Sequence, residues 1–264
     1  MKPLRDAIRR EAGRVWRDKA RARVLGLFLN EETITESTLL NLATGFQGNG
    51  LFVQLFTKAQ ERRNGADWEF WFVQGTKAAG LRVQAKRLFP SGAYDSLDPS
   101  GPQTKNLITN ARNCYPLYVF YNDSDAYRSS LPKCTCGEYN AQSYLGCTLA
   151  PATAVARAGS KSASSIQGIA IPWHCLLCES AAKETSMPDV IAGKLNSCLA
   201  NTDDHRCEVV ETPRCFWPDA GVDVLASPKL PKAEDHDEPR WLTEYLAERL
   251  LAGVAVFCAA EGPE

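Results

Sequence analysis

The sequence lacks the long apolar run that a membrane-spanning helix needs, and its first 24 residues lack the continuous apolar core of a secretory signal. It also lacks an excess of charge, because 30 lysines and arginines stand against 31 aspartates and glutamates, for a formal net charge of -1. We therefore expect a cytoplasmic protein without membrane contact. Any attraction to nucleic acid has to come from local basic patches.

Histidine is scarce, with only His174, His205 and His236 among 264 residues. The string P-W-H-C-L-L-C invites comparison with zinc nucleobase deaminases, which also need an H-x-E motif. None of the three histidines begins such a motif. The sequence therefore argues against a deaminase.

Cysteine is abundant, with ten residues, and in a reducing compartment such a number indicates bound metal rather than a disulfide framework. Five of them cluster, at Cys134, Cys136, Cys147, Cys175 and Cys178. The C-x-x-C spacing of the last two supplies half of a tetrahedral Zn²⁺ site, which two of the first three could complete. We expect four of the five to hold a structural Zn²⁺, and the alternative is a set of buried, unpaired thiols.

Composition divides the chain into four regions: a basic N-terminal helix at 1–30, an α/β core at 31–125, a Cys-rich module at 126–185 and a C-terminal extension of helix and loop at 186–264. The N-terminal helix could lie along a phosphate backbone, or its charges could form a solvated face with internal ion pairs.

Hydrophobic periodicity predicts a mixed α/β sheet flanked by helices in the core region. The predicted elements are a helix at 36–44, strands at 51–56, 66–73, 81–89 and 116–121, a hairpin turn at 74–80, and helices at 103–113, 188–200 and 241–251.

Four polar side chains of the predicted hairpin occupy positions from which they can face one another. Since side chains alternate along a strand, Asp67 and Glu69 share one face of the first strand, and Gln84 and Lys86 share one face of the second. Closure of the hairpin would bring the two faces together. Oxygen-bearing side chains suit Mg²⁺ or Mn²⁺, and a lysine can orient an attacking water or offset the charge that develops on phosphate. The pattern indicates phosphodiester hydrolysis.

The strings G-A-D-W-E-F-W-F and V-Q-A-K-R-L resemble the signature of the PD-(D/E)XK nuclease superfamily, in particular its Mrr-like restriction endonuclease branch, which has glutamine in the third motif. The resemblance covers about 30–125 and implies a restriction-endonuclease-like core. It implies Asp67 as the main metal ligand, Gln84 in the acid-or-glutamine position and Lys86 as the catalytic lysine. Ala66 replaces the proline of the signature.

A second carboxylate is also expected near this site, because Gln84 stands where many relatives have an acid. An acidic residue on the helix before the hairpin is common in the superfamily, and Glu36 matches it by position. Glu69 is the other candidate for this carboxylate. Gln103, in the helix after the hairpin, is a further candidate contact.

The resemblance implies a Mg²⁺- or Mn²⁺-dependent endonuclease that cleaves DNA, with a role in restriction or antiviral defence. The Cys-rich module would shape the substrate groove or mediate assembly, and both a monomer and a homodimer are compatible with the sequence. One alternative is a catalytically inactive nuclease-like module that binds nucleic acid or protein and holds a structural Zn²⁺. Another is a regulatory effector that stays silent until a ligand arrives.

Overall fold

A computed structural model describes residues 2–45, 51–54, 67–123, 142–178, 185–198, 206–213, 240–249, 251 and 253–258. The helices in these ranges are α1 (Lys2–Val24), α2 (Glu31–Gly45), α3 (Pro102–Thr109), α4 (Ala152–Ala158), α5 (Ala163–Gln167), α6 (Met187–Cys198) and α7 (Arg240–Arg249). The strands are β1 (Leu51–Gln54), β2 (Trp68–Gln74), β3 (Lys77–Arg87), β4 (Cys114–Tyr121), β5 (Cys147–Pro151), β6 (Ile171–Pro172), β7 (Val210–Glu211) and β8 (Gly253–Cys258).

The strands form one mixed sheet in the order β1-β8-β2-β3-β4-β5-β6, and β7 pairs with the start of β3. β2 and β3 form an antiparallel hairpin, whereas β3 with β4 and β2 with β8 run parallel. Side chains from α1, α2 and α6 pack on one face of the sheet, and those from α3, α4 and α5 pack on the other. The predicted α/β class, with a mixed sheet flanked by helices, is confirmed.

A hydrophobic core lies on each face of the sheet. The aromatic side chains of β2 point alternately into one core and the other. Trp68, Phe70 and Phe72 lie on the face covered by α1 and α2, while Trp71 lies on the opposite face. Phe72 stacks on Phe257 of β8, with ring centroids 4.7 Å apart. This confirms the phase predicted for the strand, and that phase fixes the face on which the polar residues lie.

The hairpin turn is tighter than predicted. β3 already begins at Lys77, so most of the range predicted as a turn, 74–80, is strand, and Gly75 takes a positive φ of 56° in the turn that joins β2 to β3. Gly80 lies within β3, where a Cβ would come 2.7 Å from Cys114 Sγ and 2.8 Å from the Trp71 ring. A glycine in this segment therefore reflects close packing under an indole rather than a turn.

The sheet extends beyond the predicted core in both directions. β8, in the C-terminal region predicted as helix and loop, lies between β1 and β2 and is buried. β5 and β6, from the region predicted as a separate Cys-rich module, continue the sheet past β4. The described parts of 126–185 and 186–264 are therefore integral to the same sheet, and no separate insertion is seen in them.

The helices mostly follow the predicted ranges. α6 and α7 match the helices expected at 188–200 and 241–251, while α2 begins five residues before the expected 36–44. Across the described residues, no helix combines the length and apolar character needed to cross a membrane.

Candidate active site

Polar side chains from three elements meet at one end of the hairpin. Asp67 directly precedes β2, Gln84 and Lys86 lie near the end of β3, and Gln103 lies in the first turn of α3. Gln84 and Lys86 are only 4% and 5% exposed. The sheet therefore holds functional polar groups out of bulk water, where electrostatic interactions are strong.

Asp67 is positioned by the paired strand. Its Oδ2 accepts hydrogen bonds from the Gln84 amide nitrogen at 2.5 Å and from the Ala85 backbone N–H at 2.9 Å. Burial raises the pKa of Asp67 to about 6, although the Ala85 N–H, the charge of Lys86 and the Gln84 amide all act to lower it. The ionised carboxylate is thus incompletely compensated, which favours a bound cation.

One polar atom of the Gln84 side chain makes no hydrogen bond. Its nitrogen faces Asp67, but its Oε1 is buried without a hydrogen-bond partner. A buried carbonyl oxygen left unsatisfied is costly and uncommon in native structures. An unpaired amide oxygen, on a side chain that contacts a carboxylate, is the kind of donor that a hard cation takes.

The oxygen donors fit Mg²⁺ or Mn²⁺ only in part. Within the described ranges, no three His, Cys, Asp or Glu side chains meet in a group that could hold a metal. Mg²⁺ commonly uses one or two protein oxygens and completes its shell with water and substrate phosphate. Asp67 and Gln84 match that mode, so the pair fits a cation that is held together with its substrate.

Lys86 is fixed by the helix that follows the hairpin. Its Nζ donates to Oε1 of Gln103 at 2.7 Å. Burial lowers the pKa of Lys86, and the charges of Asp67 and Glu31 oppose that shift. The contact that we predicted for Gln103 is therefore present, and it directs the ammonium group at the hairpin end.

The helix acid near this site is Glu31, and the prediction of Glu36 was wrong. α2 begins at Glu31, where Oε1 accepts from the Arg87 backbone N–H at 3.3 Å, and the charge of Glu31 acts on both Asp67 and Lys86. Glu36 is exposed. Five residues turn a helix by about 140° beyond one full turn, so the two acids cannot share a face.

Glu69, the other predicted carboxylate, is not available to this site. It shares a sheet face with Asp67 as predicted, but it is fully buried and accepts hydrogen bonds from two arginines. Arg82 Nη1 lies 3.1 Å from Glu69 Oε1, and Arg249 Nη2 lies 2.7 Å from the same oxygen. Its other oxygen accepts from the Tyr245 hydroxyl at 2.7 Å and the Trp71 indole at 3.1 Å.

These contacts make Glu69 the centre of a buried ion cluster, which we define as Glu69, Arg82, Arg249, Tyr245 and Trp71. The cluster ties α7 to β2 and β3, since Arg249 and Tyr245 belong to α7. Burial acts to lower the pKa of Arg249, but the charge of Glu69, its hydrogen bond and the neighbouring Tyr245 and Cys114 together raise that pKa. A carboxylate with this many donors has no oxygen left for a catalytic metal.

The cysteines predicted to bind Zn²⁺ do not form a site in the described residues. Cys175 is disulfide-bonded, and burial raises the pKa of the Cys147 thiol, although a zinc ligand must be a thiolate. Cys178 Sγ donates to the His174 carbonyl at 3.7 Å. Cys134 and Cys136 lie outside the described residues. The zinc prediction therefore finds no support in the residues described.

Comparison with known proteins places the chain in a family without fixing its chemistry. The chain belongs to a family of unknown function, DUF6615, whose model matches residues 4–262. No curated protein and no solved structure matches it. The family match spans the sheet from α1 to β8, in agreement with a sheet that is completed by the C-terminal strand.

Proposed function

We propose that this member of the DUF6615 family is a metal-dependent nuclease with a restriction-endonuclease-like core. The observation that carries the proposal is the meeting of Asp67, Gln84 and Lys86 at one end of the hairpin, with the Gln84 Oε1 atom buried and unpartnered. The resemblance of the same residues to the PD-(D/E)XK signature supports the assignment.

Asp67 and Gln84 would hold the cation, Mg²⁺ or Mn²⁺. When bound, such a cation polarises the phosphate and supplies hydroxide near neutral pH. Turning the Gln84 amide would present its oxygen beside Asp67, in place of the nitrogen that now donates to the carboxylate. Asp67 has to be ionised to act in this way, so activity should rise with pH through about 6.

Lys86 would orient the attacking water and offset the negative charge that develops on the phosphate. Gln103 fixes the ammonium group through the 2.7 Å hydrogen bond and acts as a positioning residue. Glu31 would contribute a second negative charge near the cation, a role that the sequence had suggested for Glu36.

DNA as the substrate, and a role in restriction or antiviral defence, rest on the resemblance to Mrr-like enzymes. The basic face of α1 supports a nucleic-acid substrate, because lysines and arginines along a helix neutralise backbone phosphates. Cleavage of both strands of a duplex would take two such sites, for example in a homodimer.

A cleavage assay with purified protein tests the proposal. Supercoiled plasmid DNA is incubated with Mg²⁺ or Mn²⁺ and wild-type protein, Lys86→Met or Lys77→Met. We expect metal-dependent nicking that falls by at least about 100-fold in Lys86→Met, because the group acting on water is gone. Lys77 is the matched control, since it lies on the same strand with an exposed side chain that pairs with Asp189.

Lys77→Met should cleave like the wild type, and EDTA should abolish cleavage. Equal cleavage by Lys86→Met and the wild type would contradict the assigned site. Absence of cleavage in every arm, with retained binding of DNA, would favour a catalytically inactive module that binds nucleic acid.

A further inference from the structure

A second surface lies beside the proposed active site, around the connection between α1 and α2. Val24, Leu25, Leu27 and Phe28 are 86%, 70%, 59% and 65% exposed. Isolated exposed apolar residues are ordinary, but a contiguous group of large ones marks a contact surface.

A cleft separates this connection from the end of β3. The cations that line it are Lys19, Arg23 and Arg87, and Asp123 is the acid among its described lining residues. Asp123 pairs most closely with Arg23, whose Nη2 lies 2.5 Å from Asp123 Oδ1, and the Nζ of the buried Lys19 lies 3.8 Å from the same oxygen. Arg87 Nε also lies 3.7 Å from Glu31 Oε2, so three cations stand against two acids, and the remaining positive charge favours an anionic ligand.

Arg87 packs against two aromatic rings, and we call Arg87, Phe28 and Phe89 together the platform. Its guanidinium carbon lies 4.3 Å from the Phe89 ring centroid and 5.7 Å from that of Phe28. Nη1 donates to the Leu29 carbonyl at 3.3 Å, which holds the group in place. A flat guanidinium next to an exposed ring resembles the surfaces on which nucleic-acid bases stack.

The platform is connected to the proposed active site. Arg87 and Lys86 are consecutive on β3, so their side chains lie on opposite faces of the sheet. They are linked at the end of the strand by Glu31, which accepts from the Arg87 backbone N–H and whose charge acts on Asp67 and Lys86. A nucleic-acid strand that places a phosphate at Lys86 and passes around this end of the sheet would bring a neighbouring nucleotide toward Arg87 and Phe28.

We propose that this cleft binds one unpaired nucleotide of the substrate strand, with its base stacked on Phe28 and its phosphate on Arg23 and Arg87. The inference rests on the proposed nuclease function for the identity of the strand. A base within a duplex cannot cover an exposed phenyl ring, so the preferred substrate is single-stranded or locally unpaired nucleic acid. Stacking on phenylalanine is tolerant of sequence, since every base has a flat face.

Binding of a fluorescein-labelled thymidine oligonucleotide, followed by anisotropy in EDTA, tests the site apart from catalysis. Phe28→Ser should weaken binding about five- to one-hundred-fold, the effect of losing one stacked base. Leu40→Ser is the matched control, because it removes a similarly exposed apolar side chain from α2, outside the lining of the cleft, and it should change affinity less than twofold. A labelled duplex should bind both variants and the wild type with equal affinity.

Unchanged oligonucleotide binding by Phe28→Ser would overturn the inference, and so would an equal loss in both variants, which would show that the loss does not depend on the Phe28 ring in the cleft. The selective loss in Phe28→Ser would support it whether or not the protein cleaves DNA. Absence of cleavage beside that selective loss would contradict the nuclease proposal alone, so the two failures are distinguishable.

Discussion

Asp67 and Glu69 lie two residues apart on the same face of the sheet, yet their surroundings are opposite. Glu69 is enclosed by two guanidinium groups, a tyrosine hydroxyl and an indole N–H. Asp67 receives one amide and one backbone N–H, and burial raises its pKa to about 6. The protein supplies Glu69 with enough donors and positive charge to compensate its carboxylate fully, whereas the carboxylate of Asp67 is compensated only in part.

The difference shows what separates a structural acid from a candidate catalytic one in this fold. Asp67 directly precedes β2, and Glu69 lies within it. The partners differ, because the C-terminal helix α7 supplies Arg249 and Tyr245 to Glu69, while the hairpin end supplies only a neutral amide and Lys86 to the region of Asp67. The role of each acid therefore depends on whether distant residues neutralise its charge, and not on its position along the strand.

The largest effect should come from Glu69→Gln. The substitution keeps the shape of the side chain but leaves Arg82 and Arg249 buried without a counter-charge, so the free energy of unfolding should fall by about 3 to 5 kcal/mol. Urea unfolding followed by circular dichroism measures it. A variant that unfolds like the wild type but no longer cleaves DNA would assign Glu69 to catalysis instead.

A smaller effect of opposite sign should come from Asp67→Asn. Because the folded-state pKa of about 6 lies above the ordinary value of 3.8, wild-type stability falls as pH rises between these values and stays low above them. Asparagine removes that loss, so the variant should be more stable at pH 7 by no more than about 3 kcal/mol. The comparison is made in metal-free buffer. A variant less stable than the wild type at pH 7 would mean that the Asp67 charge is compensated after all.

The smallest effect should distinguish Glu31 from Glu36 on α2. Glu31→Gln removes a charge that acts on Asp67 and Lys86, and it should slow cleavage by roughly three- to tenfold, equivalent to about 1 kcal/mol. Glu36→Gln alters an exposed side chain and should leave the rate unchanged. Rates of plasmid nicking under matched Mg²⁺ decide between them, and the reverse order would restore Glu36 as the helix acid.

The local parts of this arrangement could be predicted from the sequence. The alternation of aromatic and polar residues around Asp67 fixed which side chains face together, because the period of a strand depends only on the strand. Gln84 and Lys86 followed in the same way from the paired strand. Gln103 could be named as a candidate because its helix comes directly after the hairpin.

The parts that depend on distant segments could not be predicted. The partner of Glu69, Arg249, lies 180 residues away along the chain, and no local pattern links them. β8 enters the sheet by parallel pairing with β2, which leaves no turn signal between the two strands. Glu36 was expected from its position in a helix predicted at 36–44, whereas α2 begins at Glu31 and packs on the sheet through contacts such as that of the Thr35 hydroxyl with Tyr121 Oη at 2.6 Å.

The most direct test of the central claim, that Asp67 rather than Glu69 binds the catalytic cation, is calorimetric titration of Mn²⁺ into wild-type protein and Asp67→Asn at pH 7. The account predicts measurable Mn²⁺ binding by the wild type that weakens as pH falls through about 6 and is lost in the stable Asp67→Asn variant. Equal Mn²⁺ affinity in the two proteins would contradict it.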